Sequence, residues 1–253
     1  MARKVVIAGN WKMNKTGAEG KAFVEEFIPK VVGMDNVEII VCPTYTALSS
    51  VVSAAAGSNI KVGAQNIHWA ESGAFTGEIS AEMLKEIGVD YVIIGHSERR
   101  QYFGETDATV NQRLNAALAA DLIPMVCIGE LLEEREGGKT ETVLDTQIRG
   151  GLEGISAEAM AGVIVAYEPV WAIGTGKTAT PEMAEETHAF VRSVLVDMFG
   201  EDAAAKVRIQ YGGSMKGANS AELVSQENID GGLVGGASLE PEAFAELIKN
   251  ACN

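Results

Sequence analysis

The sequence predicts a closed α/β barrel, a single (β/α)8 domain over residues 1–253, and three observations predict it. Strand-like and helix-like patterns alternate eight times along 253 residues, as parallel strands joined by right-handed crossovers require. The strand-like runs are short, rich in β-branched residues and nearly free of charge, the mark of strands buried on both faces. Each run is followed at once by polar or glycine-rich residues, which gathers eight varied segments at one rim of a barrel. An open dinucleotide-binding sheet would want G-x-G-x-x-G after the first strand, and Gly9-Asn10-Trp11 does not supply it.

The first strand covers 5–8 and leads to a helix over 20–28, with Phe23 and Phe27 on one face and Pro29 just beyond. The second, 37–41, precedes an Ala/Ser/Val helix ending at Gly57. The third, 61–64, precedes a loop too long for a barrel turn and then a helix over 80–87 closed by Gly88. The fourth, 91–94, precedes a helix over 106–121, and the fifth, 125–128, a charged helical region through Leu152. The sixth, 163–165, is paired with a helix over 181–199, where Thr180-Pro181 reads as cap and first position. The seventh, 207–210, precedes a helix near 221–226; the eighth, 232–234, precedes one over 241–252.

Composition narrows the function. The formal net charge of −15 disfavours nucleic acid and anionic membrane surfaces as partners, because both need basic patches. No apolar run reaches the length of a membrane span, and the N-terminus enters a strand without a secretory apolar region, so the expected location is cytoplasmic. Cys42, Cys127 and Cys252 are odd in number and lack CxxC spacing, which reads as reduced thiols. With only His68, His96 and His188, and no His/Cys cluster, no transition-metal site is expected.

The segments after the strands carry the chemistry. In the sixth, Glu168 stands where the strand ends, Pro169 turns the chain out of the ladder, and the small-residue run 172–176 follows. This is the layout of a catalytic acid or base beside a glycine loop, although Glu-Pro after a strand is also an ordinary solvated loop start. Gly212-Gly213-Ser214 and Gly235-Gly236 close the seventh and eighth strands, where barrels often bind phosphate. Glycine suits such turns because a Cβ would keep backbone N–H groups from the anion; tight-turn glycine is the plainer alternative. His96 follows Gly95 and opens a helical turn, whose partial positive charge lowers a histidine pKa and favours neutral imidazole. Lys12, after Asn10-Trp11, is a rim cation that fits an anionic substrate or a developing oxyanion, or else a plain surface charge.

Assembled in order, these segments resemble the triosephosphate isomerase family over essentially the whole chain. The matching blocks are Gly9-Asn10-Trp11-Lys12-Met13-Asn14, residues 73–80, Gly95-His96-Ser97-Glu98-Arg99-Arg100, residues 166–176, Tyr211-Gly212-Gly213-Ser214 and residues 233–239. The resemblance implies interconversion of dihydroxyacetone phosphate and D-glyceraldehyde 3-phosphate through a cis-enediol(ate), with no cofactor and no metal. It implies Glu168 as the base, neutral His96 as the proton shuttle, Lys12 as the cation and Asn10 as the residue positioning both. It assigns phosphate contacts to Gly174, Ser214, Gly235 and Gly236. Glu98 would partner Lys12, and Ile173, Thr175 and Gly176 would belong to a lid, with Ile173 pressing on Glu168. The 65–78 loop is similar to the family's interdigitating loop, so a homodimer is expected in which Thr76 reaches the neighbouring site. Two other readings exist, an isomerase of a bulkier sugar phosphate and a non-catalytic phosphate-binding barrel. The first has no need for His96, Lys12 and this lid together; the second predicts loss of Glu168 or Lys12, and both are present.

Overall fold

The computed structural model describes residues 3–173 and 178–252. Its strands are β1 (Val5–Asn10), β2 (Val37–Cys42), β3 (Ile60–Ala64), β4 (Tyr91–Ile94), β5 (Ile123–Ile128), β6 (Ile164–Tyr167), β7 (Arg208–Tyr211) and β8 (Gly231–Val234). They pair in parallel in chain order, and β8 returns to β1, closing the barrel that the alternating pattern predicts. Around it run α1 (Gly17–Val31), α2 (Tyr45–Ala55), α3 (Ala81–Glu86), α4 (Ser97–Phe103), α5 (Asp107–Ala119) and α6 (Leu132–Glu136). The ring continues with α7 (Thr140–Gly151), α8 (Ala157–Met160), α9 (Pro181–Phe199), α10 (Glu201–Ala204), α11 (Gly217–Val224) and α12 (Pro241–Ala251). Among the described residues, no helix is long and apolar enough to cross a membrane.

The strands are apolar on both faces because each face meets a different core. Ile7, Ile39, Val41, Val92, Val126, Val165 and Ile209 point outward onto the helices, while Val6, Ala8, Ile40, Ile93, Cys127 and Ala166 fill the interior. Side chains two apart on a strand share a face. That alternation also decides which rim residues can reach the barrel mouth: Asn10 follows Ala8 on the inward side, and Glu168 follows Ala166.

Several helix boundaries differ from the sequence reading, each for a local reason. α1 runs through Pro29 to Val31, since a proline in the last turn removes one hydrogen bond while buried Val31 continues the apolar stripe begun by Phe23 and Phe27. The segment after β4 is two helices, broken at Gly104 with φ +68°. The charged region after β5 is likewise α6 and α7, broken at Gly137-Gly138. α11 starts before its predicted position because Asn219 Oδ1 accepts the Lys216 N–H at 2.8 Å and caps it.

Behind the site lies a buried histidine. His188 on α9 has no exposed surface, its Nδ1 lies 2.7 Å from the Ala184 carbonyl, and its ring meets the edge of Tyr167 at 5.4 Å. Burial pushes its pKa down to about 4. Between that value and the ordinary 6.5 the unfolded chain binds a proton the native state refuses, so this contribution to stability is lost as pH falls from about 6.5 to about 4. At about 1.4 kcal/mol per unit the loss is about 3 kcal/mol. Urea unfolding at pH 7 and pH 4 should therefore show an acid penalty smaller by about that amount in His188→Leu than in the parent; equal penalties would sink the assignment.

Candidate active site

The site grows from the end of β6. The Glu168 N–H donates to the Ile128 carbonyl at 2.7 Å, and the Val170 N–H donates to the Glu130 carbonyl at 3.1 Å, tying this stretch to the end of β5. Pro169 then takes the chain out of the ladder into a 3-10 turn, Val170–Ala172. Gly129 lies between those two bonds, and a Cβ there would fall 1.8 Å from the Glu168 carbonyl oxygen. On the other side, a Cβ on Gly212 would fall 2.7 Å from Glu168 Cγ. Two glycines from flanking strands thus make the room for Glu168. Gly212 stood out in the sequence as part of an anion turn; Gly129 carried no signal there, since its reason is a neighbour 39 positions away.

Glu168 is 2% exposed and grips two groups from the end of β4. Its Oε1 lies 2.8 Å from His96 Nε2, and its Oε2 accepts the Ser97 N–H at 2.9 Å. His96 caps α4, its Nδ1 accepting the Glu98 N–H at 3.2 Å. A nitrogen that accepts carries no proton, so the bonding pattern assigns the neutral tautomer with the proton on Nε2. The helix-terminus argument predicts a lowered His96 pKa, and here the outcome differs. Burial does disfavour the imidazolium and is the largest single influence, but the Glu168 carboxylate at Nε2 together with Glu98 outweighs it and leaves the pKa raised. Burial equally disfavours the Glu168 carboxylate, while His96, the Ser97 N–H and Lys12 together outweigh it and hold the carboxyl below its ordinary range. At neutral pH Glu168 is in its basic form. Removing it from His96 would leave burial as the largest influence on the imidazole, which favours the neutral ring.

Lys12 is held from three sides. Its backbone sits at φ +52°, a left-handed conformation that costs a non-glycine residue about 1 kcal/mol or more and persists only where its surroundings impose it. Asn10 Oδ1 accepts the Lys12 N–H at 3.0 Å, and Gln65 Nε2 donates to the carbonyls of Lys12 and Cys42 at 2.8 and 2.9 Å. The ammonium lies 2.6 Å from Glu98 Oε1, and its Cε would be 3.6 Å from a Cβ on Gly235. Gln65 opens the 65–78 loop; its clasp on Lys12 joins residues 53 apart and has no local signal in the sequence.

Asn10, Lys12, His96, Glu168, Ser214 and Gly235 share one cavity of about 430 Å³, with Ile173 and Gly236 also on its wall. The N–H groups that open the 3-10 turn Gly236–Ser238 have no carbonyl ahead of them in that turn to bond, which suits an anion. Ser214 Oγ donates to the Ala172 carbonyl at 3.1 Å, joining the turn after β7 to the segment after β6. Thr76 stands apart, exposed in the loop between β3 and α3 and not on the cavity wall. Gly174, Thr175 and Gly176 lie outside the described residues. Among the described residues no three His, Cys, Asp or Glu side chains are grouped to hold a metal ion.

A closed parallel barrel with a carboxylate, an imidazole and an ammonium converging on one cavity at its strand ends has the layout of an acid–base enzyme on a (β/α)8 scaffold. Comparison with known proteins narrows the class. The profile of triosephosphate isomerase matches residues 5–251. The triosephosphate isomerase of Citrifermentans bemidjiense is 56% identical over 247 residues, covering 98% of each chain. That of Clostridium botulinum (strain Langeland) is 57% identical over 97% of this chain and 99% of its own. That of Rhodopirellula baltica is 53% identical over 99% of each. The chain belongs to the triosephosphate isomerase family.

Proposed function

We propose that the chain interconverts dihydroxyacetone phosphate and D-glyceraldehyde 3-phosphate by moving one carbon-bound proton between neighbouring carbons. The observation that carries this is the contact of Glu168 Oε1 with His96 Nε2 at 2.8 Å inside the cavity that also holds Lys12. The Glu168 carboxylate leaves His96 and takes the proton from the carbon bearing the hydroxyl. The electron pair of that C–H bond moves toward the carbonyl oxygen and gives the enediolate. Neutral His96 donates from Nε2 to that oxygen, and so passes protons between the two oxygens at neutral pH. Lys12, positioned by Asn10 and partnered by Glu98, supplies positive charge to the oxyanion within an acidic protein. Glu168 then returns its proton to the other carbon. Ser214, Gly235 and Gly236 hold the phosphate through amides and a hydroxyl, which answers the −15 net charge without a basic patch.

Following either substrate by NMR in D₂O tests this reading. The expected result is rapid interconversion with deuterium entering the carbon that gains the proton. A folded protein that binds the phosphates without turnover would make it a binding barrel.

We further infer that residues 1–253 act as one barrel domain, working as a homodimer in the cytoplasm. Support for the dimer is the surface beside the site. Met13 is 93% exposed and Phe103 68%, both on the wall of a cavity shared with Lys12 and His96, and Phe75 on the 65–78 loop is 44% exposed; large apolar side chains bared in this way mark contact surfaces. A second cavity of about 300 Å³ lined by Lys12, Met13, His96, Glu98 and Phe103 opens there, and Thr76 of the partner subunit would enter it. Light scattering should give twice the 26.7 kDa chain mass, and Phe75→Asp should halve it and lower turnover. A fully active monomer would overturn the arrangement.

A further inference from the structure

We infer that Gln147 is a positioning residue for Glu168, acting through the peptide of Gly129; the inference rests on the reading of Glu168 as the base. Gln147 lies on α7, outside both the barrel and the substrate cavity. Its side-chain amide meets Gly129 twice: Oε1 accepts the Gly129 N–H at 2.8 Å, and Nε2 donates to the Gly129 carbonyl at 3.1 Å. This is the pairing a neighbouring strand would give, delivered by one side chain where β5 has ended.

The clasped peptide is the one on which the base rests. Either side of Gly129, the end of β5 accepts the N–H groups of Glu168 and Val170, at 2.7 and 3.1 Å. Gly129 itself approaches so closely that a Cβ would fall 1.8 Å from the Glu168 carbonyl oxygen and 3.3 Å from its Cα. Glycine peptides rotate more freely than others, so this contact needs an outside restraint. Packing does not supply it on that flank. A lateral cavity of about 290 Å³ reaches Gly129, Gln147, Ser97 and Glu168 together. Hydrogen bonds from Gln147 therefore hold what close packing leaves loose, and a misplaced base costs rate rather than affinity.

Two full-length variants test this. Gln147→Leu keeps most of the volume and removes both bonds; kcat should fall about tenfold, with KM and inhibition by inorganic phosphate changed less than twofold. Gln147→Glu carries a sharper signature. Its protonated carboxyl offers the same donor and acceptor as the amide, whereas the ionised form presents only acceptors and repels the Gly129 carbonyl. The ratio of Gln147→Glu to parent kcat should rise toward one as pH falls from about 8 to about 5, while the Gln147→Leu ratio stays flat. Arg100, Glu134 and Glu168 face the same lateral cavity in the parent and in both variants, and the Gln147→Leu ratio, with no ionisable group at 147, is the reference for any pH response that they contribute. A Gln147→Leu kcat within twofold of the parent, a flat Gln147→Glu ratio, or an equal loss of phosphate affinity would overturn the inference. If Gln147→Leu does not fold, the Gln147→Glu ratio decides alone. Unimpaired turnover in Glu168→Gln would instead overturn the reading of the base, whatever the Gln147 variants do.

Discussion

Glu168→Gln should lower kcat by about 10³- to 10⁴-fold, the upper part of what a positioned base contributes. The substitution keeps the shape of the side chain and removes its capacity to take a proton. Inhibition by inorganic phosphate should stay within about twofold, because Ser214, Gly235 and Gly236, the residues proposed to hold the phosphate, lie at other strand ends of the same cavity. Deuterium incorporation from D₂O should fall in step with kcat, since both need the same C–H bond to break. Stability should respond in a pH-dependent way. The carboxyl pKa lies below its ordinary range in the native protein, so its contribution is present above about pH 4.5 and is lost as pH falls through the native value. The parent and Glu168→Gln should therefore converge in stability on acidification. A variant that retains turnover, or one that loses phosphate affinity as steeply as rate, would sink the assignment.

Gly129→Ala should be the next most damaging change, although the residue touches no substrate. Contacts of a Cβ below 3.0 Å are essentially never seen, and here the distance is 1.8 Å to a backbone carbonyl oxygen. The oxygen belongs to Glu168 itself, so the main chain that bears the base must retreat by more than 1 Å. Displacement of that size costs about 10²-fold in rate. Forcing apart two backbones in such close contact also costs about 1–3 kcal/mol of stability. Steady-state kinetics and a thermal melt on one preparation separate the two: kcat down about 100-fold in a protein still folded at the assay temperature is the expected result. A kcat within a fewfold of the parent would mean that the ends of β5 and β6 can part without moving the carboxylate.

Much of this molecule was legible from residues in order. The alternation of short apolar runs with amphipathic ones determined the barrel, because a fully buried parallel strand must be apolar on both faces and can be followed only by a crossover. Strand-end position brought Glu168, His96, Lys12, Asn10, Ser214, Gly235 and Gly236 to one rim, because parallel strands all end on the same side, while the role expected of each came from the resemblance to the triosephosphate isomerase family. Helix limits were less legible where a local device outweighed pattern, as at Pro29 in α1 and Gly104 between α4 and α5. What only the tertiary structure decided is how those residues are held and charged. His96 is pulled toward protonation by a carboxylate 72 positions away, against the expectation from its own helix turn. Lys12 is kept in a left-handed conformation by Gln65, and Glu168 has room because Gly129 lacks a Cβ and Gln147 clasps its peptide. The physical reason is common to all three. Periodicity and capping are properties of neighbours along the chain, whereas desolvation, ion pairing and the absence of a Cβ act through space, on partners that only the closed barrel brings together.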